Sequence, residues 1–261
     1  MSDFPKGSVW LVGAGPGDPE LLTRKAERLL QTADVVFYDA LVSQGVLNLI
    51  PEATPRLSVG KRAGRHSVPQ PMICDTIVKA ALGGQRVVRL KGGDPSIFGR
   101  ANEEIDACRE NGIDAWICAG VTTASAAAAS LSVSLTTRGL ARRLTFVTAH
   151  TRNGAVPDLD WQALADPQAT IAVYMGKQAA PHISQGLMQA GLAADTPVVL
   201  IENVSLPSEQ NLATRLEVLP IAARSALGEG PAIILIGEAL RDFKERAQAC
   251  DEIRQVCAQV P

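Results

Sequence analysis

A short apolar run, Val9-Trp-Leu-Val12, ends directly in the glycine loop Gly13-Ala-Gly-Pro-Gly17, and Asp18-Pro19-Glu20 follows with the marks of a helix start. A buried strand that turns through glycines into a helix commits the chain to an α/β layout. Asp18 suits an N-cap, Pro19 fits a first turn, and Glu20 complements the helix dipole. Leu22, Ala26, Leu29 and Leu30 recur at helical spacing and predict the buried face of that helix.

The same alternation continues. Val/Ile/Leu-rich runs predict strands over 34–38, 56–59, 86–90 and 114–118, with helices over 44–49, 72–82 and 101–110 between them. Mainly parallel pairing is expected in this half. The small-residue run 120–134 predicts a closely packed helix rather than a linker. Beyond it, strands are expected over 144–148, 170–174, 197–201, 211–215 and 232–236, a helix over 179–190, and a surface loop over 151–160. The expected division is an N-terminal α/β domain over 1–119, a C-terminal α/β domain over 120–245, and a tail over 246–261 that frays as a terminal helix.

Formal net charge is -2, so no global excess of positive charge recruits nucleic acid or an acidic membrane. An acidic ligand must then be held by local basic clusters. The N-terminus lacks a signal peptide's basic and apolar regions, and the longest apolar runs are strand-sized. A cytoplasmic protein is the expectation. The five cysteines never stand in C-x-x-C spacing and are read as reduced thiols. The three histidines are scattered, and no metal site is expected.

The first glycine loop excludes two ligand classes. Asp18 stands where a nicotinamide fingerprint needs glycine, and no Gly-Lys-Ser/Thr follows for a P-loop. An acidic residue at the helix start also repels phosphate. The loop does match the G-x-G-x-G of Rossmann-like methyltransferases, with Asp39 as a ribose partner, and a purely structural turn is the alternative. A second loop, Gly92-Gly93-Asp94-Pro95 followed by Gly99-Arg100, again lies past a strand, where open α/β sheets bind ligands. Lys61, Arg62, Arg65 and His66 form one basic segment, and Arg138, Arg142 and Arg143 another. Each is either a solvated loop or a carboxylate clamp.

Taken together, Gly13-Ala-Gly-Pro-Gly-Asp-Pro-Glu-Leu-Leu-Thr23, Val59-Gly-Lys-Arg62, Val88-Arg-Leu-Lys-Gly-Gly-Asp-Pro95, Phe98-Gly-Arg100, Gly120-Val-Thr122 and Tyr174-Met-Gly176 resemble the tetrapyrrole methylases. The likeness runs from Ser8 to about Leu240. It implies a two-domain α/β fold with the cofactor in the interdomain cleft, and a homodimer. It implies S-adenosylmethionine as methyl donor, released as S-adenosylhomocysteine. The implied reaction is C-methylation of uroporphyrinogen III at C2 and C7, giving precorrin-2 through precorrin-1. A corrin-ring methylase, or a catalytically weak S-adenosylmethionine-binding relative, is the alternative. No dehydrogenase–chelatase domain of the kind some relatives carry is expected.

Mapped residue by residue, the resemblance implies a cofactor site of Pro16, Gly92, Gly93, Asp94, Ile97, Thr122, Thr123, Met175, Val204 and Ala232. Asp39 and Lys61 match positions with acid/base roles, with carboxylate anchoring as the simpler account of Lys61. Arg62, Arg65, His66, Arg100, Arg138 and Arg142 are the implied partners of the substrate's carboxylate arms. Some positions depart from the family pattern: Thr123 replaces alanine, Thr137 replaces histidine, and Ala101-Asn102 replace a glycine pair.

Overall fold

A computed structural model describes residues 4–60, 69–149 and 159–243. The chain separates between Thr123 and Ala124 into two compact units. The first holds a parallel sheet of five strands in the order β3-β2-β4-β1-β5. These are β1 (Val9–Gly13), β2 (Val35–Tyr38), β3 (Arg56–Ser58), β4 (Val87–Lys91) and β5 (Ala115–Cys118).

β1 is buried along its whole length because helices cover both faces of the sheet, which is why it reads as a continuous apolar run. Val9, Leu11 and Val87 pack with Ile73 and Ile77 of α3 (Gln70–Leu82) and with Cys108 of α4 (Ala101–Glu110). Trp10, Val12, Val88 and Leu90 face the other way, onto Ala26, Leu29 and Leu30 of α1 (Arg24–Thr32) and Val46 and Leu47 of α2 (Gln44–Leu47).

The helix expected from Asp18 onward is broken in two. Asp18 caps only a single 3-10 turn, Pro19–Leu21, through the Glu20 N–H, and Leu22 is extended. Thr23 then caps α1 afresh by accepting from the Ala26 N–H. The interruption has a physical cause. The Ser43 hydroxyl donates to the Gly17 carbonyl and Gly45 packs against Pro19, so the short turn is docked on α2. Leu22 meanwhile turns onto the core.

One surface tie beside the sheet carries a pH signature. Asp34 accepts from the Arg86 backbone N–H at 2.7 Å and from its guanidinium at 3.1 and 2.9 Å. The hydrogen-bonded guanidinium holds the Asp34 carboxyl below its ordinary range. A depressed carboxylate contributes stability above its unfolded pKa and loses it as pH falls. Both side chains are about one third exposed, so the contribution is that of a screened pair. Asp34→Asn should cost about 1 kcal/mol at pH 7. The gap from wild type should close below about pH 4 in urea titrations.

The second unit contains the sheet β6-β7-β10-β8-β9. Its strands are β6 (Arg143–Thr148), β7 (Ala169–Tyr174), β8 (Pro197–Glu202), β9 (Gln210–Arg215) and β10 (Ala232–Ile236). Only β6 and β7 are parallel; β10 runs antiparallel to both β7 and β8, and β9 antiparallel to β8. The alanine run forms α5 (Thr123–Ser130), with Ala124, Ala126, Ala127 and Ala128 buried. Three further helices follow: α6 (Trp161–Leu164), α7 (Ala180–Gln189) and α8 (Leu219–Ser225). Ile183 and Leu187 of α7 meet Ile171, Val173, Leu200 and Ile234 in its core. Asp160, expected in a loop, instead caps α6 by accepting from the Ala163 N–H. The rest of that expected loop up to residue 158, and the tail, lie outside the described residues. Among the described residues no helix is long and apolar enough to cross a membrane.

Candidate functional site

Three loops converge at the carboxyl ends of β1, β4 and β5. Gly15 and Gly93 exchange backbone hydrogen bonds, Gly15 N–H to the Gly93 carbonyl at 3.2 Å and Gly93 N–H to the Gly15 carbonyl at 2.7 Å. Gly120 closes the third side. A Cβ there would stand 2.3 Å from the Gly93 oxygen and 2.8 Å from the Gly13 Cα, so backbone packs on backbone. Gly93 itself has φ of +67°, which only glycine adopts without cost.

Asp94 fastens this junction. One carboxylate oxygen accepts from the Ser96 N–H at 2.7 Å and the other from the Gly120 N–H at 3.0 Å. Its side chain thereby joins the β4 loop to the β5 loop. Gly92, Gly93 and Ile97 are half-buried beside it, as are Pro16 on the first loop and Thr122 and Thr123 on the third. The chain beyond Asp94 is backbone-strained, with Phe98 at φ 52° and Arg100 at φ 55°. Left-handed non-glycine residues cost energy and cluster at functional sites.

Asp39 lies at the carboxyl end of β2, next to the β4 loop. Its Oδ1 accepts from the Leu41 N–H at 3.0 Å, and its Oδ2 stands 3.7 Å from Arg89 Nη2. Behind it is a buried ionic group for which the sequence reading assigned no role. Arg89 and Lys91 point from β4 onto Glu104 of α4, Arg89 Nε at 3.0 Å and Lys91 Nζ at 2.8 Å. Gln70 Nε2 also donates to Glu104, at 3.1 Å. Burial, and then Arg89, push Lys91 below the usual lysine range, while Glu104 pulls the other way. The available signal was two cations spaced by one residue inside an apolar strand, which places both on one face.

In the second unit Met175, Val204 and Ala232 gather at one end of the sheet. Met175 follows β7, Val204 lies two residues past β8, and Ala232 begins β10, whose register pairs Ala232 with Glu202 and Ile233 with Tyr174. Three left-handed non-glycine residues crowd this end: Met175, Asn203 and Ser205. Met175 is 48% exposed, a large apolar side chain presented rather than packed. The loop before Ala232 is held by Glu202, which accepts from the Gly228 N–H at 2.9 Å, and by Lys177, which bonds the Gly228 carbonyl.

The basic candidates fare differently. Lys61, Arg62, Arg65 and His66 lie outside the described residues. Gly60, the residue before them, packs against the Asp39–Ala40 peptide. Arg100 forms a two-pronged pair with Glu103 at 2.7 Å and is half-exposed. Arg142 precedes β6 and its N–H bonds the Gln168 carbonyl, so it sits at the opposite end of the second sheet from Met175. Arg138 occupies the exposed turn Thr137–Ala141 that leads there, and Arg143 pairs with Asp166. Within that unit, neither Arg138 nor Arg142 is brought to the Met175 end. The thiols of Cys74, Cys108 and Cys118 are buried, and burial pushes Cys108 up to about 11. Among the described residues no group of His, Cys, Asp and Glu is arranged to hold a metal ion.

Residues 8–220 match the model of the family described as Tetrapyrrole (Corrin/Porphyrin) Methylases. The chain belongs to this family. As a tetrapyrrole methylase it is 48% identical over 238 residues to a uroporphyrinogen-III C-methyltransferase of Pseudomonas aeruginosa, covering 91% of this chain and 96% of that one. It is 45% identical over 242 residues to a siroheme synthase of Nitrosospira multiformis, covering 93% of this chain but 51% of the relative, so it spans about half that length. The fold superposes with a TM-score of 0.78 on the crystal structure of uroporphyrin-III C-methyl transferase from Thermus thermophilus complexed with S-adenyl homocysteine. That match is 37% identical and covers 90% of this chain and all of the other. The two-sheet α/β fold of this tetrapyrrole methylase is thus that of solved family members.

Proposed function

We propose that this tetrapyrrole methylase transfers two methyl groups from S-adenosylmethionine to C2 and C7 of uroporphyrinogen III, giving precorrin-2 through precorrin-1 and two molecules of S-adenosylhomocysteine. The observation that carries the reading is the 48% identity, over 91% of this chain, to the Pseudomonas aeruginosa methyltransferase. A homodimer acting in the cytoplasm belongs to the same proposal.

The residues suit the proposed cofactor. The β4 and β5 loops, 92–97 and 119–123, carry one carboxylate and no lysine or arginine. A site so composed favours a cationic sulfonium with a neutral nucleoside over a phosphorylated ligand. Pro16, Gly92, Gly93, Asp94, Ile97, Thr122 and Thr123 from the first unit, with Met175, Val204 and Ala232 from the second, are the proposed contacts. When bound, the cofactor supplies an already activated methyl group. The protein's share is to align carbon, methyl and sulfur and to keep water out.

Methylation of a pyrrole carbon leaves positive charge on the macrocycle, and one proton must leave for each methyl gained. Asp39, partly exposed at the strand ends, is placed to balance that charge or accept the proton. Lys61 is its proposed partner, as proton donor or as an anchor for a carboxylate. Arg100 and the segment Arg62, Arg65 and His66 are the proposed holders of the acetate and propionate arms. Arg138 and Arg142, from the second unit, complete the proposed set of partners for those arms.

Anaerobic incubation with uroporphyrinogen III and S-adenosylmethionine, read by mass spectrometry, tests the reading. A gain of two methyl groups is expected. No gain by a protein that binds S-adenosylhomocysteine in calorimetry would overturn it in favour of another tetrapyrrole acceptor. Within the reading, Arg100→Met should raise KM for the tetrapyrrole about tenfold, by loss of one charged contact. KM for S-adenosylmethionine should change little, and an equal rise in both would sink the clamp.

A further inference from the structure

Arg89 and Lys91 are both nearly enclosed, and the Glu104 side chain between them is fully so. Burying such a group does not by itself favour folding, since apolar side chains of the same shape are often as stable or more stable. Its arrangement needs another account, and the geometry supplies one at Asp39, the partly exposed carboxylate that Arg89 meets. Arg89 is gripped by Glu104 through Nε and also donates from Nη1 to the Leu90 carbonyl, which leaves Nη2 directed to Asp39.

The groups facing Glu104 come from four directions. β4 supplies Arg89 and Lys91, α3 supplies Gln70 and Cys74, α4 adds Glu103 and Cys108, and the end of β2 contributes Asp39 through Arg89. Two cations against Glu104 leave one positive charge over, and Asp39 is the anion that Arg89 meets. Lys91 holds the second oxygen of Glu104, so the carboxylate cannot rotate without breaking one bond or the other.

The geometry points to Glu104 as a positioning residue for the methyl-transfer site: by fixing the Arg89 guanidinium against Asp39, it aims the Asp39 carboxylate at the strand ends where the macrocycle reacts. This rests on the reading of Asp39 given above. Glu104 touches no substrate in this scheme. Its effect passes entirely through Arg89 to Asp39, and that restriction makes it separable from a structural role.

The test is a double-mutant cycle of Glu104→Gln and Asp39→Asn, with kcat, both KM values and S-adenosylhomocysteine affinity measured on folded protein. Asp39→Asn should lower kcat about a hundredfold. Glu104→Gln should lower it about tenfold, through misplacement of a catalytic group, with KM and cofactor affinity within about twofold of wild type. The double variant should match Asp39→Asn alone, because a residue acting only through Asp39 has nothing left to position. Multiplicative losses, wild-type kcat in Glu104→Gln, or a loss confined to KM would overturn the inference. Wild-type kcat in Asp39→Asn would instead overturn the underlying reading of Asp39, and this inference with it. Should Glu104→Gln fail to fold, Arg89→Lys, which keeps the charge and loses the fork, takes its place in the cycle under the same rule.

Discussion

Gly120→Ala is expected to destabilise the first unit by about 3 kcal/mol, at the upper end for overpacking. It should also weaken S-adenosylhomocysteine binding a hundredfold or more. The added carbon would stand 2.3 Å from the Gly93 carbonyl oxygen, 2.8 Å from the Gly13 Cα and 3.0 Å from the Gly13 carbonyl carbon. All three are backbone atoms, so no side chain can rotate away. Relief must come from moving the end of β1 or the β4 loop, and both continue into the sheet's two central pairings, β1 with β4 and β4 with β2. The same movement draws the Gly120 N–H off Asp94 and releases the bond between the loops. Gly112→Ala is the matched control. It also sits in a turn, at φ of +68°, with nothing within 4 Å of an added Cβ. Its cost should stay near 1 kcal/mol, the left-handed penalty alone, with cofactor affinity unchanged. Urea denaturation and calorimetry read both effects. Normal binding by Gly120→Ala would mean that the junction is not what holds the cofactor.

That junction explains why part of the site was legible beforehand. Glycines immediately after apolar strands mark backbone approach whatever the fold, so Gly13 and Gly93 stood out in the sequence, while Gly120 was read as the start of a small-residue helix and as part of the family pattern. Strand positions were equally accessible, because β1, β4 and β10 are dense β-branched runs between turn residues. What escaped was set by tertiary contacts. Asp18 has the local chemistry of a helix cap, yet docking of Pro19 on Gly45 and the pull of Leu22 onto the core restart the helix at Thr23. Arg89 and Lys91 looked like ordinary motif cations, and only the fold brings Glu104, thirteen residues from Lys91, between them. That Arg142 stands at the end of the second sheet opposite Met175 likewise follows from strand direction and pairing, which no local pattern announces.

Glu104→Leu should cost about 3–5 kcal/mol, because it leaves two buried cations without their shared counter-charge. The loss should depend on pH in a stated direction. Burial already holds Lys91 below its ordinary value, and Glu104 is among the groups opposing that drop. Without Glu104 the folded state holds the Lys91 proton less tightly still, while the unfolded state keeps it up to about pH 10. Folding the variant then releases more proton than folding the wild type, so its stability rises with pH and its deficit narrows as pH climbs toward about 10. Replacing the whole group, Arg89→Met with Lys91→Met and Glu104→Leu, removes the enclosed charges and leaves only the partly exposed Asp39 without its cation. Buried ion groups exchanged for apolar side chains of similar volume commonly recover or exceed the original stability. The triple variant should therefore melt near wild type, yet its kcat should remain at or below that of Glu104→Gln, since no guanidinium then faces Asp39. If stability and kcat return together, the buried group serves packing alone; if stability returns without kcat, its cost is explained by where it aims Asp39.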